Sequence, residues 1–146
     1  MDAKPVNVLL VEDDPDHAEL VRFGLEDSQA AMRVRRVSDG QEALDYLFRR
    51  GPFAGPDPGA RPHIVLLDLR LPKIDGLEVL KEVKTSPALR RIPVIVLTSS
   101  GAEKDIAAAY DHGANSYLVK PVDFSRFSRL MSDCGLYWLT CNRQSP

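Results

Sequence analysis

Five short apolar runs alternate along the chain with five stretches of helical periodicity, and that order leaves few folds open. Strand then helix, repeated, argues for a parallel sheet covered on both faces. The first run, Val6 to Val11, is followed by Asp14-Pro15, which reads as an N-cap and a first helical position. Ala18, Val21 and Leu25 then recur at helical spacing. A weaker second run, about Arg33 to Val37, carries charges that place it at a sheet edge. Asp39-Gly40-Gln41-Glu42 offers a capping box for a helix containing Ala43, Leu44, Leu47 and Phe48. Residues 51–62, with three glycines and four prolines, form a loop. The third run, Ile64 to Leu67, leads through Asp75-Gly76 to a helix marked by Leu77, Leu80 and Val83. The fourth, Val94 to Leu97, precedes a helix from about Ala102 to His112 that stops at Gly113. The fifth, about Ser116 to Val119, is followed by Asp123 as cap of a last helix facing the sheet with Phe127, Leu130, Met131 and Cys134.

What ends these runs is unusual for a core. Glu12-Asp13-Asp14 closes the first, Asp68 the third, Thr98 the fourth and Lys120 the fifth. In a parallel α/β sheet, ligands collect outside the carboxyl ends of the strands, so these side chains meet in one crevice. Taken singly, an Asp is a cap and a Lys solvates a surface; four such residues at successive strand ends are not explained that way. Converging carboxylates repel one another unless a cation sits among them. Hard oxygen ligands favour Mg²⁺ or Mn²⁺, with magnesium held through one or two carboxylates plus waters and phosphate oxygens. Asp13 and Asp68 are the expected direct ligands, Glu12 supports through water, and the Arg70 backbone carbonyl completes the protein share. Lys120 supplies a point charge for a phosphoryl oxygen and Thr98 a hydroxyl donor. Such a site suits a transferring phosphoryl group, with one carboxylate as nucleophile. Asp68, central and at the start of a loop, is the best candidate.

Composition excludes other classes. With 146 residues the chain fits one domain, divided as an N-terminal arm at 1–5, a core domain at 6–134 and a helical extension and tail at 135–146. Its net charge of −2 gives no electrostatic argument for nucleic acid or a membrane surface. No apolar run approaches the roughly 20 residues that cross a bilayer. The N-terminus lacks the pattern of a signal peptide, so the expected location is the cytoplasm. Cys134 and Cys141, on one helix, would lie about 10.5 Å apart along its axis, too far for an internal disulfide. His17, His63 and His112 fit ordinary surface or capping roles.

These motifs resemble those of the response-regulator receiver domain, the phosphoacceptor module of two-component signalling. The acidic pair matches Glu12-Asp13 in VEDDP, the phosphoacceptor Asp68 in LLDLRLPKIDG, the switch hydroxyl Thr98 in IVLTSS, and the lysine-proline pair Lys120-Pro121 in YLVKP. The resemblance covers residues 6 to about 134. It implies a flavodoxin-like, five-stranded parallel sheet of order 2-1-3-4-5 with helices on both faces. It implies no external substrate; such a domain catalyses only its own phosphorylation and dephosphorylation. It further implies that Thr98 moves toward the phosphoryl group while Tyr117 turns inward behind it, giving the face of helix four, strand five and helix five two arrangements. From composition alone, Tyr117 is equally a surface strand residue with a solvated hydroxyl. The Lys120-Pro121 bond is cis in the family.

Several departures bear on the role. Arg70 stands two residues after Asp68, where a haloacid-dehalogenase-type phosphatase needs a second acid, which weakens that enzyme reading. Arg70 is expected to overhang the phosphoryl group and influence attack by water. Only about ten residues follow the receiver, too few for a fused DNA-binding domain, so a stand-alone receiver is expected. Leu136-Tyr137-Trp138-Leu139 is more apolar than one sheet-facing stripe requires; it either packs within a long final helix or joins that helix-four, strand-five, helix-five face in a homodimer. The 51–62 loop, the RRIPVIVLTSS and GANSYLVKP phrases and this tail are similar to small receivers paired with phytochrome-type sensor histidine kinases. Two other readings compete. A phosphorylation-independent interaction module would normally lack part of the set Glu12, Asp13, Asp68, Thr98 and Lys120. A flavodoxin-like cofactor binder would line the strand ends with apolar and aromatic groups.

Overall fold

The structure, a computed structural model, describes residues 6–27, 32–56 and 61–140, the side chains of 136 and 138–140 excepted. Strands β1 (Val6–Val11), β2 (Met32–Val37), β3 (Ile64–Leu67), β4 (Val94–Thr98) and β5 (Ser116–Val119) form one parallel sheet of order β2-β1-β3-β4-β5. Helices α1 (Pro15–Asp27), α2 (Gly40–Leu47), α3 (Gly76–Thr85), α4 (Glu103–Asp111) and α5 (Phe124–Thr140) alternate with them. Strands β3 and β4 are buried throughout, as expected of strands covered on both faces. At the edges, β2 alternates between half-buried and exposed positions, and β5 is half-buried at best.

Two cores follow from the pleat. On one face Leu9, Val11, Val65, Leu67, Val94 and Val96 pack against Leu44, Leu47, Val79, Leu80 and Val83. On the other, Val8, Leu10, Ile64, Leu66, Ile95 and Leu97 meet Val21, Leu25, Phe127 and Met131. The charged edge strand β2 is accommodated by stacking: the Arg35 guanidinium lies 5.0 Å from the Tyr46 ring centroid and 5.2 Å from that of Phe53.

Local signals act largely as the sequence implied. Asp14 caps α1, its Oδ1 accepting from the backbone N–H groups of Asp16 and His17. Asp123 caps α5 through the Arg126 N–H. Gly113, at φ +96, ends α4 in a conformation that side chains rarely adopt. The capping box of α2 is incomplete: Asp39 accepts from the Glu42 N–H at 2.7 Å, but the Glu42 carboxylate accepts from Ser38 rather than from Asp39. Helix α2 also ends one residue early, because Phe48 is its C-cap and Arg49 turns the chain at φ 56. Among its described residues, the loop from Gly51 contains a single 3-10 turn, Gly51–Phe53. Residues 1–5, Cys141 and the Trp138 side chain lie outside the described residues; Cys134 is a half-buried free thiol.

Candidate functional site

The strand ends bring the charged groups together. Asp68 follows β3 directly, and its N–H donates to the Val11 carbonyl at 3.1 Å, so the ladder with β1 extends one residue past the strand. Behind it, Gly76 at the start of α3 passes so close that a Cβ there would lie 2.2 Å from the Asp68 carbonyl oxygen. This contact seats the loop after Asp68 against the helix. The Asp68 carboxylate, in a residue only 8 % exposed, accepts from the Arg70 N–H through Oδ1 (3.2 Å) and from Lys120 Nζ through Oδ2 (2.9 Å).

Glu12 is 1 % exposed and accepts from Lys120 Nζ at 2.5 Å and from the Asp14 N–H at 3.2 Å. Asp13, beside it, is exposed. Oxygens of Glu12, Asp13 and Asp68 lie within 4.8 Å of one another, a hard-oxygen donor set that fits a divalent cation. Burial raises the Glu12 pKa to about 7, and the Asp68 charge adds to that against the opposing pull of Lys120. Burial works against the charge on Lys120 too, but its bonds to Glu12 and Asp68 outweigh it and hold its pKa above the ordinary value. Lys120 is therefore an ammonium. Its N–H donates to the Thr98 carbonyl at 2.8 Å, tying the ends of β4 and β5. The Thr98 hydroxyl oxygen is buried and has no hydrogen-bond partner among the described residues. Such a group ordinarily has a partner.

Residues 8–131 match the model of the response regulator receiver domain family. The chain belongs to that family. A probable methanogenesis regulatory protein, FilR2 of Methanothrix harundinacea, is 44% identical over 141 residues, covering 95% of this chain and 87% of that protein. The response regulator Rcp1 of Synechocystis is 38% identical, with 92% and 90% covered. Its Mn²⁺-bound crystal structure has a TM-score of 0.90 at 36% identity, covering 97% of this chain and 100% of that one. The phosphorylated cyanobacterial phytochrome response regulator RcpA has a TM-score of 0.91 at 37% identity, covering 98% and 100%. This receiver is thus a signalling protein whose relatives include phytochrome-associated response regulators.

The remaining site residues of the receiver divide into those anticipated and those not. Tyr117 is half-buried, and its hydroxyl donates to the Ser100 carbonyl at 2.8 Å. Burial raises its pKa, against that hydrogen bond. The Arg70 side chain is exposed. No cis peptide bond occurs among the described residues, which corrects the expectation for Lys120-Pro121. Lys120 reaches both carboxylates across the ordinary trans bond, which is favoured by about 0.5–1 kcal/mol.

His17 also requires correction, since it is not merely a surface or capping residue. Its Nδ1 lies 2.9 Å from Lys120 Nζ. The available signal was its place three residues after Asp14, in the first turn of α1 beside the acidic loop. Arg36 was missed as well: Nε donates to the Glu12 carbonyl at 3.0 Å and Nη2 to the Asp13 carbonyl at 3.2 Å, pinning the acidic loop to the edge strand. His63 and His112 keep the roles expected of them. His63 accepts from the Asn7 N–H as β3 begins, and His112 caps α4.

Proposed function

We propose that this receiver accepts a phosphoryl group on Asp68 from the phosphohistidine of a sensor histidine kinase, in the presence of Mg²⁺ or Mn²⁺. An Asp68 carboxylate oxygen attacks phosphorus; the new P–O bond forms as the P–N bond breaks, and the donor imidazole leaves with that electron pair. Glu12, Asp13 and Asp68 would hold the cation, with the Arg70 carbonyl as a further oxygen. When bound, the cation neutralises charge on the phosphoryl oxygens. Lys120 shifts a hydrogen bond from Asp68 to a phosphoryl oxygen, a charge-assisted bond made stronger by burial. The observation that carries this reading is the convergence of three carboxylates on a buried ammonium at the strand ends.

The added phosphate brings nearly two negative charges and three acceptor oxygens. Thr98, whose hydroxyl has no partner among the described residues, supplies a donor to them. Its movement vacates space beside β5, and Tyr117 exchanges its bond to Ser100 for an inward position. The face so altered carries the exposed apolar side chains Tyr110, Val119 and Val122. Symmetric pairing through α4, β5 and α5 would cover them. The likeness to Rcp1 and to RcpA makes a phytochrome-type kinase the donor we favour.

Phosphate-affinity electrophoresis with acetyl phosphate tests the central step. A retarded band that needs Mg²⁺ and disappears in Asp68→Asn is expected. A wild-type protein that stays unmodified, or a mutant that is modified equally, overturns the assignment.

A further inference from the structure

The ammonium of Lys120 has three protons to donate and meets three acceptors: Glu12 Oε1 at 2.5 Å, Asp68 Oδ2 at 2.9 Å and His17 Nδ1 at 2.9 Å. Two of these are the carboxylates that the proposed function engages elsewhere, Glu12 with the cation and Asp68 with phosphorus. His17 is given neither task, and its Nδ1 also lies 4.0 Å from Glu12 Oε1. Its ring packs tilted against that of Phe127 on α5, with centroids 5.8 Å apart, and Phe127 is fully buried. Its other nitrogen, Nε2, lies 3.7 Å from Asp14 Oδ2, a carboxylate oxygen that favours a proton on Nε2. An imidazole protonated at Nε2 offers a bare lone pair at Nδ1, which is the acceptor the ammonium requires.

We infer that His17 is a positioning residue for Lys120, a neutral third acceptor that keeps the ammonium aimed at Asp68 while both carboxylates change partners. The inference rests on the phosphoacceptor reading above. A third carboxylate in this place would have drawn the ammonium away from an incoming phosphoryl oxygen and added to the repulsion around Asp68. A neutral imidazole holds one proton of the ammonium and leaves its charge for the phosphoryl group. Nothing is transferred to or from His17; it acts only by limiting where Nζ can go. Orientation of this kind affects the rate of the chemical step more than the binding of the donor.

The test compares wild type, His17→Ala and His17→Gln, which restores a neutral acceptor, in phosphorylation by acetyl phosphate at saturating Mg²⁺. The maximal rate of His17→Ala is expected to fall about tenfold, the worth of one hydrogen bond to a charged group. The half-saturating donor concentration and the Mg²⁺ affinity measured by calorimetry should stay within about twofold, and His17→Gln should recover most of the rate. Nitrogen-15 spectra of the wild-type imidazole provide a readout independent of activity: the Nε2–H tautomer is expected, with an Nδ1 signal that changes in Lys120→Met. A proton found on Nδ1, an undiminished rate in His17→Ala, or equal loss in His17→Ala and His17→Gln overturns the inference. If wild type itself fails to take up phosphate, the phosphoacceptor reading has failed instead, and the tautomer measurement still decides the Lys120–His17 bond.

Discussion

The two halves of the crevice are built on opposite terms. Where β1 and β3 end, every buried charged group is paired: Glu12 and Asp68 share Lys120, and Arg36 ties the backbone of the acidic loop to β2. Where β4 and β5 end, Thr98 holds a buried hydroxyl with no partner among the described residues, and Tyr117 is secured by a single hydrogen bond to a loop carbonyl. Strands β3 and β4 are covered on both faces, whereas β5 is a half-exposed edge. The carboxylates paired through Lys120 are expected to be the rigid side of the crevice, and Thr98 and Tyr117, toward the β5 edge, the mobile side. The proposed function would use both, because a phosphoryl group must be held in one geometry while its presence alters another.

The sharpest way to break this contrast is to remove the pairing on the rigid side. Lys120→Ala leaves Glu12 and Asp68 buried without their counter-ion, and it should lose about 3 kcal/mol in metal-free urea unfolding at neutral pH. That is the low end for a broken buried pair, since Glu12, raised to about 7, can take up a proton. Saturating Mg²⁺ should recover more stability in the mutant than in wild type. A mutant as stable as wild type without metal would mean the β1–β3 half is not held by charge.

On the mobile side the expectation reverses. Thr98→Val removes an unpartnered buried hydroxyl at nearly constant shape, so the protein should gain about 1 kcal/mol while losing its response to phosphorylation. Destabilisation by that much would show that the hydroxyl is already satisfied. Tyr117→Phe deletes the bond to Ser100 and should cost about 0.5 kcal/mol by the same measurement. A cost several times larger would place Tyr117 among the rigid elements.

A separate expectation concerns the core, where α5 packs Cys134 against the sheet. Burial raises this thiol from 9.0 to about 11, with the charge of Asp133 adding to it. The stabilisation from keeping it neutral is fully present below pH 9.0 and is lost as pH rises through about 11. In a Cys141→Ser background, alkylation at pH 8 should run on the order of 100-fold slower than for a free thiol, through scarcity of thiolate. Alkylation at the free-thiol rate would show α5 loosely seated.

The five β-α units and the strand order were legible because burial on both faces leaves continuous apolar runs such as Ile64–Leu67, and capping residues such as Asp14 and Asp123 act over a few bonds. The meeting of Glu12, Asp13, Asp68 and Lys120 was legible for a related reason, since parallel strands place all their carboxyl ends on one rim. Neither His17 nor Arg36 could be placed that way. His17 belongs to the site because α5 brings Phe127 against its ring and the end of β5 brings Lys120 within reach of its nitrogen, and residue 120 lies 103 positions along the chain. The Tyr117 hydroxyl likewise finds its acceptor through the path of the loop after β4. The amino-acid order determined which elements form and on which rim the charges gather, because backbone hydrogen bonding and burial are periodic. Only tertiary packing decided which neighbour completes each hydrogen bond, because a side chain's last few ångströms of reach depend on contacts between segments distant in the chain.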